Sequence, residues 1–295
     1  MPRAALLSIH ARVKNTRPST WEHPSLVQIW GPRYSVFVVA KRDLAYFTLG
    51  VHPNDQRGKL REERLAAQLH AHLAGARMGY GDVGEALGMN PNLLRYVAAS
   101  GTLLIRWEGA RQPTIWTIQA PKVDRREARL ELARRYLHIY GPSTPETFGL
   151  WSGIGTRHAT AAFVALDSEL TPARTPIGEA WILAEDEAGF RAAPGHAATA
   201  RLLPSGDSYL LYWGADRELV VPDAAQRREL WTSRVWPGGV LVEGEVVGTW
   251  RRAGTTVVVA PWKRLSRSLR EAVGTEAEGL PLPGVRGPVT VRWED

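Results

Sequence analysis

The chain has 295 residues, enough for about two domains and more than one core, and its 44% hydrophobic content excludes disorder over most of its length. It has no cysteine, which excludes disulfides, thiolate zinc sites and cysteine nucleophiles. A net charge of +7, carried by 32 arginines and only five lysines, points to an acidic partner, nucleic acid being the commonest; a GC-rich coding sequence is the other source of so much arginine.

The first predicted element is a helix over 4–13, with Leu6, Ile9 and Val13 on one face and Arg3 and Arg12 off it. Its apolar run stops at Ile9, before His10 and Arg12, unlike a secretory signal, and no run reaches the ~18 residues of a membrane span. The expectation is a cytoplasmic protein. "LVQIW" and "YSVFVVA" flank "GPR" as a hairpin, and "KRDLAYFTL" follows as a short helix. Residues 1–55 thus read as a partial unit, in which only one helix precedes a hairpin.

Residues 56–122 give the complete pattern. A charged helix at 60–75, a glycine turn at 79–81 and a short helix at 82–87 lead to "GMNPNLLRYVAASG". There Asn90 caps a third helix, Pro91 takes its first position and Gly101 stops it. Leu93, Leu94, Val97 and Ala98 are predicted to face inward, and Asn92, Arg95, Tyr96 and Ala99 outward. "TLLIRWEGARQPTIWTI" at 102–118 is a hairpin. Three helices and a hairpin are the order of a winged helix-turn-helix, whose third helix enters a DNA groove while the hairpin follows the backbone. Asn92, Arg95, Arg106 and Arg111 are then candidates for phosphate or base contact, and Tyr96 for base stacking. A winged helix that only packs against other domains stays open as the alternative.

Residues 123–198 repeat that order, with helices at 124–141, 143–151 and 155–166, Thr156 as a cap and a wing at 173–184. Arginines 125, 126, 129, 134 and 135 share the first of these helices with Glu127 and Glu131, which fits a solvated face as well as a DNA patch. Arg157 opens the third helix and joins the DNA-contact candidates. From 199 to 295 the texture changes to short strands: "ARLLP", "YLLYW", "ELVVP", "GVLVEG", "EVVGTWRR", "TTVVVAPW" and "VTVRW", with one basic helix at 263–274. They predict a small barrel or sandwich, with Arg251 and Arg252 as its basic candidates. The fold class is α+β.

No P-loop, dinucleotide fingerprint, nucleophile elbow or H-E-x-x-H is present. His70 and His72 stand two apart on a helix and face different ways. No cofactor or metal is expected. Asp207 is the one carboxylate singled out: after a Pro-Ser-Gly turn it could activate water, or bond its own turn backbone.

"AALLSIHARV", "LVQIWGPRYSVFVVAKRDL", "ELARRYLHIYGPSTPETFGLWSGI", "RLLPSGDSYLLYWGADRELVVP" and "GGVLVEGEVVGTWRR" occur in this order along the chain. Together they resemble the winged-helix DNA glycosylases of the AlkZ type, which repair alkylated and crosslinked DNA. The resemblance implies tandem winged helix-turn-helix units on a C-terminal β-barrel-like domain, with double-stranded DNA carrying alkylated or crosslinked bases as partner. It also implies hydrolysis of the N-glycosidic bond by a Gln-x-Gln or Gln-x-Asp pair that positions water, placed just before the segment resembling "PRAALLSIHARV". Gln28, Gln56, Gln68, Gln112, Gln119 and Gln226 are all isolated, so that pair has no counterpart among these residues. Arg33 matches the family's hairpin arginine; Gly206 stands where an aromatic usually precedes the aspartate. Three readings follow: a glycosylase whose recorded chain begins after the pair, a family member that binds DNA without hydrolysis, and a winged-helix transcription regulator. The C-terminal matches weigh against the third.

Overall fold

The computed structural model describes residues 2–108, 112–193, 198–285 and 287–294, and its fold is α+β. The chain divides into two compact units: His23–Ala188, and Pro2–Glu22 joined to the residues from Gly189 onward. Helix α1 (Pro2–His10) belongs to the second unit. It ends three residues sooner than expected, so Val13 is exposed, and Leu6 and Leu7 form the buried pair instead.

In the first unit, β1 (Leu26–Trp30) and β2 (Val36–Ala40) form the expected antiparallel hairpin, followed by α2 (Leu44–Leu49). Helix α3 (Gln56–Leu73) starts where Asp55 accepts a hydrogen bond from the Gly58 amide, and buries Leu65, Leu69 and Leu73 at four-residue spacing. Then come β3 (Met78–Gly79), α4 (Tyr80–Ala86), a 3-10 helix at Pro91–Ser100, β4 (Leu103–Arg106) and β5 (Thr114–Thr117). The five strands make one sheet in the order β2-β1-β4-β5-β3, so the hairpins of 26–40 and 103–117 are continuous. They join at Gln28 opposite Ile105, where the Gln28 side-chain oxygen also accepts a bond from the Trp107 amide at 2.8 Å. Trp30, Leu69, Val83, Leu94, Leu103 and Ile115 fill the core above this sheet.

Asn90, Pro91 and Gly101 bound the third helix as expected. Its inward face differs from the expected one: Leu93 is 41% exposed and Ala99 is buried. A 3-10 helix has three residues per turn rather than 3.6, and over ten residues that difference rotates the buried stripe.

The rest of the unit is α5 (Arg125–Tyr140), α6 (Pro145–Ser152), α7 (Thr156–Ala165) and the hairpin β6 (Leu170–Thr175) with β7 (Gly178–Leu183). Tyr136, Tyr140, Phe148, Trp151 and Phe163 pack as an aromatic cluster between these helices. Thr156 is the first helical residue of α7 rather than its cap; Gly155, at φ +80, holds the cap position without a side chain.

Helix α8 (Glu187–Arg191) runs across the division of the chain. The second unit then holds β8 (Ala200–Leu203), α9 (Arg217–Val220), α10 (Ala224–Leu230), β9 (Gly238–Val242), β10 (Glu245–Ala253), β11 (Thr256–Pro261), α11 (Arg267–Glu278) and β12 (Thr290–Trp293). Its sheet runs β12-β11-β10-β9-β8, with only the β11–β12 pair parallel. The sheet is open: β8 and β12 are its two edges and do not pair among the described residues. The barrel expected from strand texture is therefore not closed here. Helix α11 covers the apolar face instead, with Val273 and Ala277 against Val240, Val257 and Val259. Two expected strands are also absent. "YLLYW" holds a 3-10 turn at Ser208–Leu210, and "ELVVP" holds α9. Short apolar runs do not distinguish strand from helix by periodicity, and Asp207 caps the turn.

Candidate nucleic-acid interface

The start of the Pro91–Ser100 helix carries a connected polar array. Asn90 caps it through the Asn92 amide at 2.9 Å. The Asn92 side-chain oxygen accepts from the Tyr80 hydroxyl at 3.1 Å and from Arg95 Nη2 at 2.8 Å, and Arg95 Nε donates to the Asn92 carbonyl. Burial pushes the Tyr80 phenol up, and Arg95 opposes this only in part, so the phenol stays a donor at neutral pH. Arg95 thus spends two of its five N–H donors on neutral acceptors that fix its direction.

Tyr96 does not present a free ring. Arg61 lies over it at 4.0 Å, Tyr34 meets it edge-on at 4.8 Å, and the side chain packs on the core. One face of the ring expected to stack on a base is covered by a guanidinium. Arg33 sits in the left-handed region at φ +55 and donates to the Leu150 carbonyl at 2.9 Å. Arg106 pairs with Glu108 at 3.0 Å, while Arg111 lies outside the described residues. Arg157 is exposed on the first turn of α7.

In the second unit, Arg251 and Arg252 are neighbours on β10 and point to opposite faces of the sheet. Arg251 bonds the Val235 carbonyl and Arg252 the Gly254 carbonyl. Asp207 is fully buried and both its oxygens are engaged. Arg12 donates to Oδ1 at 2.7 Å and to Oδ2 at 2.9 Å, and the Tyr209 amide donates to Oδ1 at 2.8 Å. Of the two roles expected for Asp207, the turn-backbone bond is present in this geometry.

One basic feature was legible only as a list of arginines. α5 divides its five in three ways. Arg134 bonds Glu131 and Glu169, and Arg135 bonds Glu131 and Asp43, which neutralises that end of the helix. Arg125 bonds buried Glu62 at 3.1 Å and donates to His52 Nε2. A guanidinium only donates, so the His52 proton sits on Nδ1, 2.7 Å from Glu62. Arg126 and Arg129 reach no carboxylate among the described residues. They open onto a cleft of about 470 Å³ that His52, Asn54, Lys59, Arg125 and His158 also line.

The chain matches the family model of AlkZ-like DNA glycosylases over residues 1–281. It belongs to that family. An interstrand DNA cross-link repair glycosylase of Streptomyces sahachiroi is 32% identical over 158 residues, a match spanning 51% of this AlkZ-like chain and 41% of that relative. The solved structure of the Streptomyces sahachiroi DNA glycosylase AlkZ aligns with a TM-score of 0.78 at 20% identity, covering 99% of this chain and 89% of the other. At that identity the alignment shows a shared fold for the AlkZ-like chain.

Proposed function

We propose that this AlkZ-like chain binds double-stranded DNA through the surface around Pro91–Ser100, with 56–122 acting as a winged helix-turn-helix. The observation that carries the reading is the Asn90–Asn92–Arg95–Tyr80 array, which holds an arginine at the start of the third helix with donors to spare, followed by the β4–β5 hairpin. In the same reading 1–55 and 123–198 are related units, 199–295 is a β-rich domain, and the protein acts in the cytoplasm. No described helix is long and apolar enough to cross a membrane.

The reaction assigned to the complex is hydrolysis of the N-glycosidic bond of an alkylated or crosslinked base. Support comes from the family match and from the cross-link repair glycosylase similar to part of the chain. A second reading, DNA binding without hydrolysis, is favoured by Asp207, whose two oxygens are already bonded. Incubation with duplex carrying 7-methylguanine separates the two. Base release well above spontaneous depurination supports the glycosylase; release at the spontaneous rate, with the duplex bound, supports the binder.

A further inference from the structure

The α5–α7 cleft of the first unit has a charge arrangement that the proposed DNA surface does not explain. Among the described residues four cations line it, Lys59, Arg125, Arg126 and Arg129, and no carboxylate does. Glu62 lies behind them, buried and already bonded to Arg125 and His52. Arg129 ends its three hydrogen bonds on the Gly50 carbonyl, the His52 carbonyl and the Asn54 side-chain oxygen, all neutral. A partly desolvated guanidinium without an anion is costly, and burial indeed pulls the Arg129 pKa down. His158 faces the same field: burial, then Arg129, Arg157 and Lys59, hold its pKa below the usual value. Lys59 and Arg126 make no ion pair among the described residues. Opposite them, Ala161, Ala162 and Ala165 on α7 leave the far wall small, so the cations surround open space.

We infer that this cleft is a phosphate-binding site, with Arg129 and Lys59 as its main ligands and Arg125 and Arg126 beside them. A fixed guanidinium with two N–H groups left, next to a lysine ammonium, suits a multiply charged tetrahedral oxyanion. The occupant is a backbone phosphate of the duplex or a free phosphate. The first source rests on the DNA-binding reading above; the site itself does not.

The test uses the full chain and the variants Lys59→Gln, Arg126→Gln, the double variant, and Ala161→Trp, which fills the cleft without changing charge. Among the described residues Lys59, Arg126 and Ala161 hold no side-chain bond, so the thermal melts should match wild type. In the first arm, binding of an undamaged duplex is followed by anisotropy at several salt concentrations. A cleft that holds a backbone phosphate makes the slope of log affinity against log salt shallower by about one for each cation removed, and by a similar amount in Ala161→Trp. In the second arm, inorganic phosphate is titrated at constant ionic strength while the His158 imidazole is followed by NMR. Bound phosphate raises the His158 midpoint in wild type and leaves it unmoved in the double variant. A moved His158 with an unchanged duplex slope assigns the site to free phosphate. A moved His158 in a wild type that binds no duplex sinks the DNA reading and keeps the site. An unmoved His158 with either an unchanged slope in all variants or a wild-type slope in Ala161→Trp overturns the inference.

Discussion

Arg95 is fixed by two bonds to Asn92, and the backing is reinforced by Tyr80. An arginine restrained in this way loses little side-chain entropy on meeting a phosphate or base edge. Arg95→Ala is expected to weaken duplex binding by about 1–3 kcal/mol and to make the salt slope shallower by about one, read by anisotropy. Unchanged affinity and slope would place the DNA contact on another unit. Asp207 makes the contrasting case. Its carboxylate is buried, and it holds both Arg12 and the turn that begins at Ser208. Asp207→Ala is expected to cost about 2–4 kcal/mol in thermal or denaturant unfolding, through the lost pair and the freed turn amide. Asp207→Asn keeps an oxygen for the Tyr209 amide and should cost less. Both positions were readable as chemistry-bearing residues, but their partners, 3 and 195 residues away, were not.

Among the elements, the hairpins and the 91–100 helix were the most legible, because turn glycines, an Asn-Pro start and alternation are local signals, whereas the cap expected at Thr156 falls to Gly155 and the helix expected at 263–274 runs over Arg267–Glu278. Gly101 ends the 91–100 helix at φ +73, and an added Cβ there would meet Pro121 at 2.9 Å. Gly101→Ala is therefore expected to destabilise by more than about 1 kcal/mol, seen as a lower melting temperature. The same helix defeated the 3.6-residue pattern, and Leu93 and Ala99 exchanged places as a result. The pairing of α5 with β6's flank brings a pH dependence. Arg134 hydrogen bonds hold the Glu169 carboxyl below its usual 4.5, so folding is favoured by its ionised form. That contribution is complete above the unfolded value and fades as pH falls through the folded one. Half-exposed as it is, the pair is worth about 0.2–1 kcal/mol. Glu169→Gln should melt below wild type at neutral pH, with the gap closing in acid; a gap that persists at low pH would mean a packing effect.

For the molecule as a whole, the charge of +7 sets an electrostatic expectation that no single residue does. A chain that neutralises several phosphates releases their counterions, so its log affinity for duplex should fall steeply and linearly with log salt and depend little on sequence. A flat slope between low and moderate salt would remove DNA as the main partner.

Composition and local pattern were enough to establish the α+β class, most helix ends, the hairpins and the family, because caps, turns and hydrophobic spacing act over a few residues and the matching segments keep their order along the chain. They could not establish which contacts close over long separations. α1 is joined to residues beyond Gly189, two hairpins merge into one sheet at Gln28 and Ile105, and α11 covers a sheet that stays open. The cleft depends on the same kind of contact: His52, Lys59, Arg129 and His158 come from separate elements, and Arg129 became an unneutralised cation only when folding gave Glu131 to its neighbours and left it facing carbonyls. Charge is written in the sequence, but whether a charge is neutralised depends on distance, and distance is a property of the fold.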